Sequence, residues 1–535
     1  MRRKTLSLLA TAATALAVAV PPASAAPASP PELRTVGLRF TEWNLLPASR
    51  LATTTLAPGV TLSTTAYGRQ DSGDRWTVQV NLPALPEGPL GSAATALGPR
   101  ATALRVASAL RAKGFEPRVE EVRRPGYADL RAGTLGWTVR LGRYAGEAAA
   151  TELLGRVKAA GFAGRTRYTA QDGTDAGAPE RVHVLRLDFR TFGGDLAVDH
   201  GRTLNGTERL TDLIGASGAI AGVNGQWFYN SAPGGLYVRD GKLLGSATQG
   251  RTAIRFARGG RSFSVDTFTA HVTLRTAGGS VEVDGVNRIP GEVWNCGGVG
   301  GDLPTQKPQH DLKCTDPSEL VRFTPEWGAV PKGAGAEAVF DANGRVTAVN
   351  SSRGAAVPAG GSTLQAVGDG ADWLLRNVRV GEAPVFEQRV RDGSGRDVPL
   401  TGDTTILQVG PSLVRNGRIA VNAVGDGVVR EGADQSFTYD WTVRANPRSM
   451  IGVDRQGRLL LVVVDGRQAG YSEGLGIDRA ARLMQHLGAV EAMNLDGGGS
   501  SVVATAASGV VNRPSDTTGQ RSLGNGLLVL PRGSR

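Results

Sequence analysis

Two stretches of the chain begin with the same Trp-Thr-Val triplet and then repeat one order of signals. This restricts the fold of that region more than anything else in the sequence. In the first copy, the strand-like run Trp76-Thr77-Val78-Gln79-Val80 leads to a helical pattern from Thr102 to Lys113. The stop Gly114-Phe115-Glu116-Pro117 and a strand from Arg118 to Val122 follow. In the second, Trp137-Thr138-Val139-Arg140-Leu141 leads to a helix from Glu147 to Ala160, then Gly161-Phe162 and a strand from Thr166 to Thr169. Period-two alternation marks the strands, a 3.6-residue apolar period marks the helices, and glycine ends each helix. Two strand–helix–strand copies should form one four-stranded sheet with two helices on one face, a ferredoxin-like βαββαβ module over 71–171.

The flanks place this module in an exported chain. Arg2, Arg3 and Lys4 precede an apolar stretch from Leu6 to Val20 and the small-residue triplet Ala23-Ser24-Ala25. That order reads as a secretory signal peptide over 1–25, with an uncleaved anchor as the rival reading. The stretch is short for a membrane span. Residues 26–70 are rich in Pro, Ala, Thr and Ser and read as a linker able to add an edge strand. The net charge of +11 suits anionic wall polymers or phosphorylated glycans. Nucleic acid is disfavoured as a partner, because no basic helix or aromatic-basic platform concentrates the charge. The two cysteines, Cys296 and Cys314, are expected to bridge in an oxidising compartment. Closing that loop is worth about 3 kcal/mol. The five histidines are scattered without ligand-like spacing, so neither a metal nor a cofactor is expected.

From Glu180 to the end, short β-rich segments alternate with Gly/Asp/Asn turns, and helices are few. Leu210 to Ala216 is one candidate. Ile477 to Leu487 is the clearest, with Ile477, Ala480, Leu483 and Leu487 on one stripe. The pattern is α+β and dominated by strands. Four glycine-punctuated motifs carry candidate chemistry: Ala221-Gly222-Val223-Asn224-Gly225-Gln226-Trp227, Asn446-Pro447-Arg448 with Asp465-Gly466-Arg467, Asn494-Leu495-Asp496-Gly497-Gly498-Gly499-Ser500-Ser501, and Asn512-Arg513-Pro514-Ser515-Asp516. Successive N–H groups of Gly497, Gly498 and Gly499 can converge on an anion. Ser500 and Ser501 add hydroxyl donors, and Arg448 and Arg467 can grip a phosphate bidentately. Asp496 is the candidate nucleophile or base, with Asp465 or Asp516 as its partner. Asn224 and Asn494 either touch substrate or fix loop backbone. Asn512 and Ser515 complete the substrate-binding set. Ser500 is not expected as a covalent nucleophile, because no histidine is placed to activate it.

The repeat resembles the SPOR domain family, small modules that bind peptidoglycan glycan strands. The W-T-V openings, the helices ending in Gly-Phe and the run Val139-Arg140-Leu141-Gly142-Arg143-Tyr144 carry the resemblance. It implies a glycan contact on part of the sheet face. The four motifs, in their order, resemble the phosphodiester glycosidases, typified by the enzyme that uncovers mannose 6-phosphate. Gly285-Val286-Asn287-Arg288, Phe323 to Gly328 and Gly410 to Val414 fit as well, so the resemblance covers 180–533. Gln226-Trp227 departs from it, since such proteins more often show a second glycine and an aromatic there. The resemblance implies a secreted hydrolase that releases sugar and a phosphomonoester from a sugar-1-phosphodiester, such as N-acetylglucosamine-1-phosphate on a wall polymer. Two other readings stay open: a metal-dependent phosphodiesterase, and a non-catalytic protein that binds peptidoglycan or other glycans.

Overall fold

The computed structural model describes residues 33–35, 48–83, 94–173, 177–229, 232–248, 250–294, 313–429 and 435–534. The expected signal peptide lies outside them. So do Cys296 and the side chain of Cys314, and with them the expected disulfide.

The N-terminal repeat forms one antiparallel sheet in the order Pro117–Arg124, Gly133–Tyr144, Trp76–Val80, Gly164–Tyr168, with Leu33–Thr35 added parallel to Pro117–Arg124. Helices Arg100–Ala112 and Glu147–Ala159 cover one face. Both helices end as the repeated Gly-Phe requires. Gly114 and Gly161 take positive φ (81° and 91°), while the Phe115 and Phe162 N–H groups reach back to the Leu110 and Val157 carbonyls. This wrap closes the last turn, and only glycine adopts it without strain. Strand alternation sends Val78, Val80, Val139 and Leu141 to the helices. It sends Thr77, Gln79, Thr138 and Arg140 to the other face, yet these four polar residues are buried too.

The cover on that polar face is the rest of the chain. Arg140 donates to Asp172 Oδ1 at 2.8 Å and to the Tyr439 hydroxyl at 2.9 Å. Arg167 meets Asp440 at 2.6 Å. Ala96, Leu97, Val122 and Leu135 of the module pack with Tyr439 and Val443 in a small apolar cluster. The middle of the sheet face implied as a glycan contact is therefore occupied by the chain's own C-terminal region.

That region is built on an eight-stranded sheet in the order Ala48–Ala57, Val60–Tyr67, Glu180–Leu187, Leu459–Val464, Arg448–Asp454, Ala489–Asn494, Ser412–Arg415, Arg418–Ile419. Leu459–Val464 is wholly apolar and wholly buried, as a central strand covered on both faces should be. The stretch read as a linker able to add an edge strand, over 26–70, is more structured than that: Leu33–Thr35 edges the module's sheet, and Ala48–Ala57 and Val60–Tyr67 are strands. The latter two form a hairpin that extends this sheet, and their β-branched threonines suit the edge. A five-stranded sheet packs on the first through the main core. Its order is Asp195–Asp199, Gly526–Leu530, Ala221–Asn224, Val503–Thr505, Gly509–Val510. A second core lies between a seven-stranded sheet around Ser262–Thr276 and another five-stranded sheet around Ser362–Val367. Helix Ile477–His486 buries Ile477, Ala480 and Leu483 of the stripe read from the sequence, while Leu487, just past its end, is half-buried. The fold is α+β and rich in strands.

Candidate active site

The segment from Leu495 to Val502 leaves the eight-stranded sheet at Asn494 and enters the five-stranded sheet at Val503. It bridges the seam between the two sheets, and the first three motifs meet on it. The Leu495 N–H donates to the Ser449 carbonyl at 2.8 Å, and the Asp496 N–H donates to the Gly225 carbonyl at 3.0 Å. Asn224, fully buried at its strand end, holds three partners. Its Nδ2 donates to the Asp496 carbonyl at 2.8 Å, and its Oδ1 accepts from Ser449 Oγ at 2.6 Å and the Val502 N–H at 3.1 Å. Of its two readings, backbone fixation is the one its contacts fill.

The glycines do something other than form a nest of three converging amides. The Gly497 N–H is taken by Asp496 Oδ1 at 2.8 Å, and the Gly498 N–H by the Pro447 carbonyl at 2.9 Å. Their missing side chains make room for cations instead. A Cβ on Gly498, itself at φ 63°, would lie 3.2 Å from Arg467 Nη2, and one on Gly499 would lie 2.6 Å from Arg521 Nη2. Two guanidinium groups thus press onto the turn. Arg467 is oriented by Asn446 Oδ1, which accepts from its Nε at 3.0 Å and its Nη2 at 2.8 Å. Burial first, then the charge of Arg521, lowers the Arg467 pKa. Arg521 is held by Asp516 Oδ2 at 2.7 Å. Asp516 also accepts from the Thr518 N–H and hydroxyl. These bonds and the Arg521 pair draw its pKa down to about 2, so it stays ionised.

Asp496 differs from Asp516. It is partly exposed on the turn but enclosed enough that desolvation pushes its pKa up to about 6. The Ser500 hydroxyl, the Gly497 N–H and the Arg521 charge offset only part of that rise. Such a carboxyl titrates near the pH at which an enzyme works, as an acid or base must.

Other expected residues lie behind the turn. Arg448 is fully buried. Its Nε donates to the Leu475 carbonyl at 2.8 Å and its Nη2 to the Trp441 carbonyl, leaving only Nη1 for any ligand. The bidentate phosphate grip expected of it is therefore not available. Asp465 is buried with both oxygens engaged, by Asn512 Nδ2 (2.9 Å), the Arg513 N–H (3.0 Å), His183 Nε2 (3.2 Å) and the Tyr471 hydroxyl (3.3 Å). Asn512 also donates to the Ser501 carbonyl and accepts from the Val503 N–H. Asp465 and Asn512 thus brace the turn from beneath. Asn494 donates to the Gly410 and Leu495 carbonyls. Ser501 Oγ and Ser515 Oγ are buried without hydrogen-bond partners among the described residues.

The sequence shows Arg521 shortly after the fourth motif and Tyr229 just past Trp227 in the first, but assigns neither a site role, and Trp441 lies in no motif. Arg521 had a signal, since it stands five residues after Asp516. Trp441 had none. It packs edge-on to Trp227 at 5.4 Å between ring centroids, and the segment that carries it lies under the N-terminal module. Gln226 is buried, with Nε2 donating to the Leu236 and Gln408 carbonyls. The departure at this position therefore supports a neighbouring loop.

The phosphodiester glycosidase family model matches residues 335–530, and the SPOR domain model matches 93–166. A putative exported protein from Burkholderia pseudomallei is 32% identical, with 90% of this chain and 96% of that chain covered and a TM-score of 0.80. The chain belongs to the phosphodiester glycosidase family. The match to the Burkholderia protein spans nearly all of both chains, so it takes in both the module and the larger region of this one. A hypothetical protein from Synechocystis shares the fold at 17% identity, covering 90% of this chain and 80% of that one, with a TM-score of 0.50. The catalytic domain of zebrafish N-acetylglucosamine-1-phosphodiester alpha-N-acetylglucosaminidase is more remote. It is 13% identical, with 86% and 89% covered and a TM-score of 0.32. No curated protein matches the chain.

Proposed function

We propose that this family member hydrolyses the glycosidic bond of a sugar-1-phosphodiester outside the cytoplasmic membrane. Water adds at C1, the bond from C1 to the phosphate oxygen breaks, and free sugar and a phosphomonoester leave. The observation that carries this reading is one carboxyl of raised pKa, Asp496, on a turn against which Arg467 and Arg521 lie. A phosphate leaves C1 as a stabilised anion, so its departure needs cations more than a strong acid. Arg467 and Arg521 supply them, with the Ser500 hydroxyl and the Gly499 amide beside them. Asp496, once ionised, attacks C1 or activates the water that does. Asp516 holds Arg521 in place, and Asp465 positions the turn.

The SPOR domain and the exported relative support a cell-envelope or extracellular setting and peptidoglycan as a partner. Among the described residues no helix is long and apolar enough to cross a membrane. The strand order of the module supports the ferredoxin-like reading. With the centre of its polar sheet face occupied, the module's open surface includes a groove of 630 Å³ lined by Arg111, Arg118, Arg143, Arg156, Phe115 and Tyr144. It suits acidic wall components.

The direct test is incubation with N-acetylglucosamine-1-phospho-methyl ester. Methyl phosphate should be released by the wild type and not by Asp496→Asn. Release of methanol with sugar 1-phosphate would mean cleavage on the other side of phosphorus and would reject the glycosidase.

A further inference from the structure

Arg251 is fully buried, and its Nε, Nη1 and Nη2 all lack a hydrogen-bond partner among the described residues. An unpaired buried charge costs several kcal/mol, so proteins rarely keep one without a use. Its position is tightly fixed. The Arg251 N–H donates to the Thr248 carbonyl at 3.2 Å, and its carbonyl accepts from Gln408 Nε2 at 3.0 Å. The next residue, Thr252, is bound through its N–H (2.6 Å) and hydroxyl (2.9 Å) to Asp426. Asp426 is the acid whose charge acts on Arg251, but its oxygens serve Thr252 and the Ser412 N–H, not the guanidinium.

The guanidinium lies over the Trp227 ring, 5.2 Å from its centroid. Its other electrostatic neighbour is Tyr229, and Tyr229 in turn senses Asp496. Arg251 therefore stands on the Trp227–Tyr229 side of the candidate catalytic carboxylate.

We infer that Arg251 is a substrate-binding residue that takes a second anionic group of the substrate, apart from the phosphate held by Arg467 and Arg521. All three of its nitrogens are unpaired among the described residues, so its planar fork can donate bidentately to a carboxylate or phosphate. The group is either a carboxylate on the sugar or a further phosphate in the aglycone. The inference rests on reading Asp496 as the carboxylate at C1.

The test uses the full chain and three probes: N-acetylglucosamine-1-phospho-methyl ester, glucuronic acid 1-phospho-methyl ester, and a neutral-sugar probe whose aglycone ends in a phosphomonoester. Wild type should prefer one doubly anionic probe, and which one identifies the source of the charge. Arg251→Gln should lose about 100-fold in kcat/KM on that probe and little on the singly anionic N-acetylglucosamine-1-phospho-methyl ester. Arg251→Lys should recover part of the loss. An equal loss on all three probes, or no wild-type preference, would overturn the inference. Calorimetric binding to Asp496→Asn separates this from failure of the proposed function. If wild type turns over no probe, a doubly anionic probe should still bind Asp496→Asn and fail to bind the double variant with Arg251→Gln; equal binding by both would reject the role of Arg251. Unliganded Arg251→Met should melt no lower than wild type, because it removes a buried guanidinium with no hydrogen bond to any described residue. A clear drop in Tm would mark Arg251 as structural and count against it.

Discussion

Asn224 Nδ2 donates to the main-chain carbonyl of Asp496 at 2.8 Å, so the end of one sheet holds the candidate catalytic residue of the other. The same carboxamide accepts from Ser449 Oγ and the Val502 N–H. Asn224→Ala should leave these buried partners unsatisfied and cost about 1–3 kcal/mol of stability. It should also let the turn drift, and a displacement of about 1 Å at a reacting group lowers rate by about 100-fold. The expected outcome is a loss mainly in kcat, with KM little changed, alongside a lowered denaturation midpoint. A variant with normal kcat would show that the turn does not depend on this bond.

The raised pKa of Asp496 fixes the direction of the pH profile. Its carboxyl is protonated well below pH 6 and ionised above it. A nucleophile or general base works in the ionised form, so kcat/KM should rise as pH increases through about 6 and then level off. Asp516, held near 2, contributes no inflection in that range. A profile that instead falls through pH 6 would make Asp496 the general acid and require another group as base.

Gly499 has no room for a side chain, since a Cβ there would meet Arg521 Nη2 at 2.6 Å. Gly499→Ala should push that guanidinium off the turn while leaving Asp496 in place. Weakened phosphate binding should raise KM about tenfold or more, with a smaller change in kcat. Arg521→Lys keeps the charge but not the fork, and should show a milder version of the same defect. An unchanged KM in both variants would remove Arg521 from the phosphate site.

How far the sequence could be read depended on how local each signal was. The Gly-Phe helix stops, the Ile477 stripe and the apolar strand Leu459–Val464 are set by neighbours in the chain, and the structure has them within a few residues. The hairpin Ala48–Tyr67 was read as linker because exposed threonines look like tether until a partner strand is known. In the site, the motifs marked the right segments but not which atoms stay free. Asp465 and Asp496 look alike in sequence. Only the fold shows that the first has its oxygens filled by Asn512, Arg513, His183 and Tyr471, whereas the second sits on the turn with a raised pKa. Arg448 and Arg251 show the same limit in opposite directions. One is largely consumed by backbone carbonyls, and the other carries no motif yet has no side-chain donor paired among the described residues.

The module's docking face gives the last prediction. Arg140 and Asp172 are both nearly inaccessible, with side-chain exposures of 3% and 4%, and Tyr439 completes the triangle. Arg140→Met removes one partner and leaves Asp172 buried, with the Tyr439 hydroxyl at 3.2 Å and Arg444 at 3.9 Å to compensate. The cost should be about 3 kcal/mol or more. Tyr439 and Trp441 share one short helical segment, and Trp441 packs on Trp227 beside the site. Loosening Tyr439 should therefore lower activity as well as stability, although Arg140 lies on the SPOR module. The double variant Arg140→Met with Asp172→Leu should recover part of the stability, because the Asp172 charge is gone while Glu120, 3.4 Å from Arg140, keeps Arg118 as its partner. Denaturant melts and kcat measured on the three proteins check this. If Arg140→Met left both stability and kcat unchanged, the module would be a loosely attached domain rather than part of the wall behind Trp441.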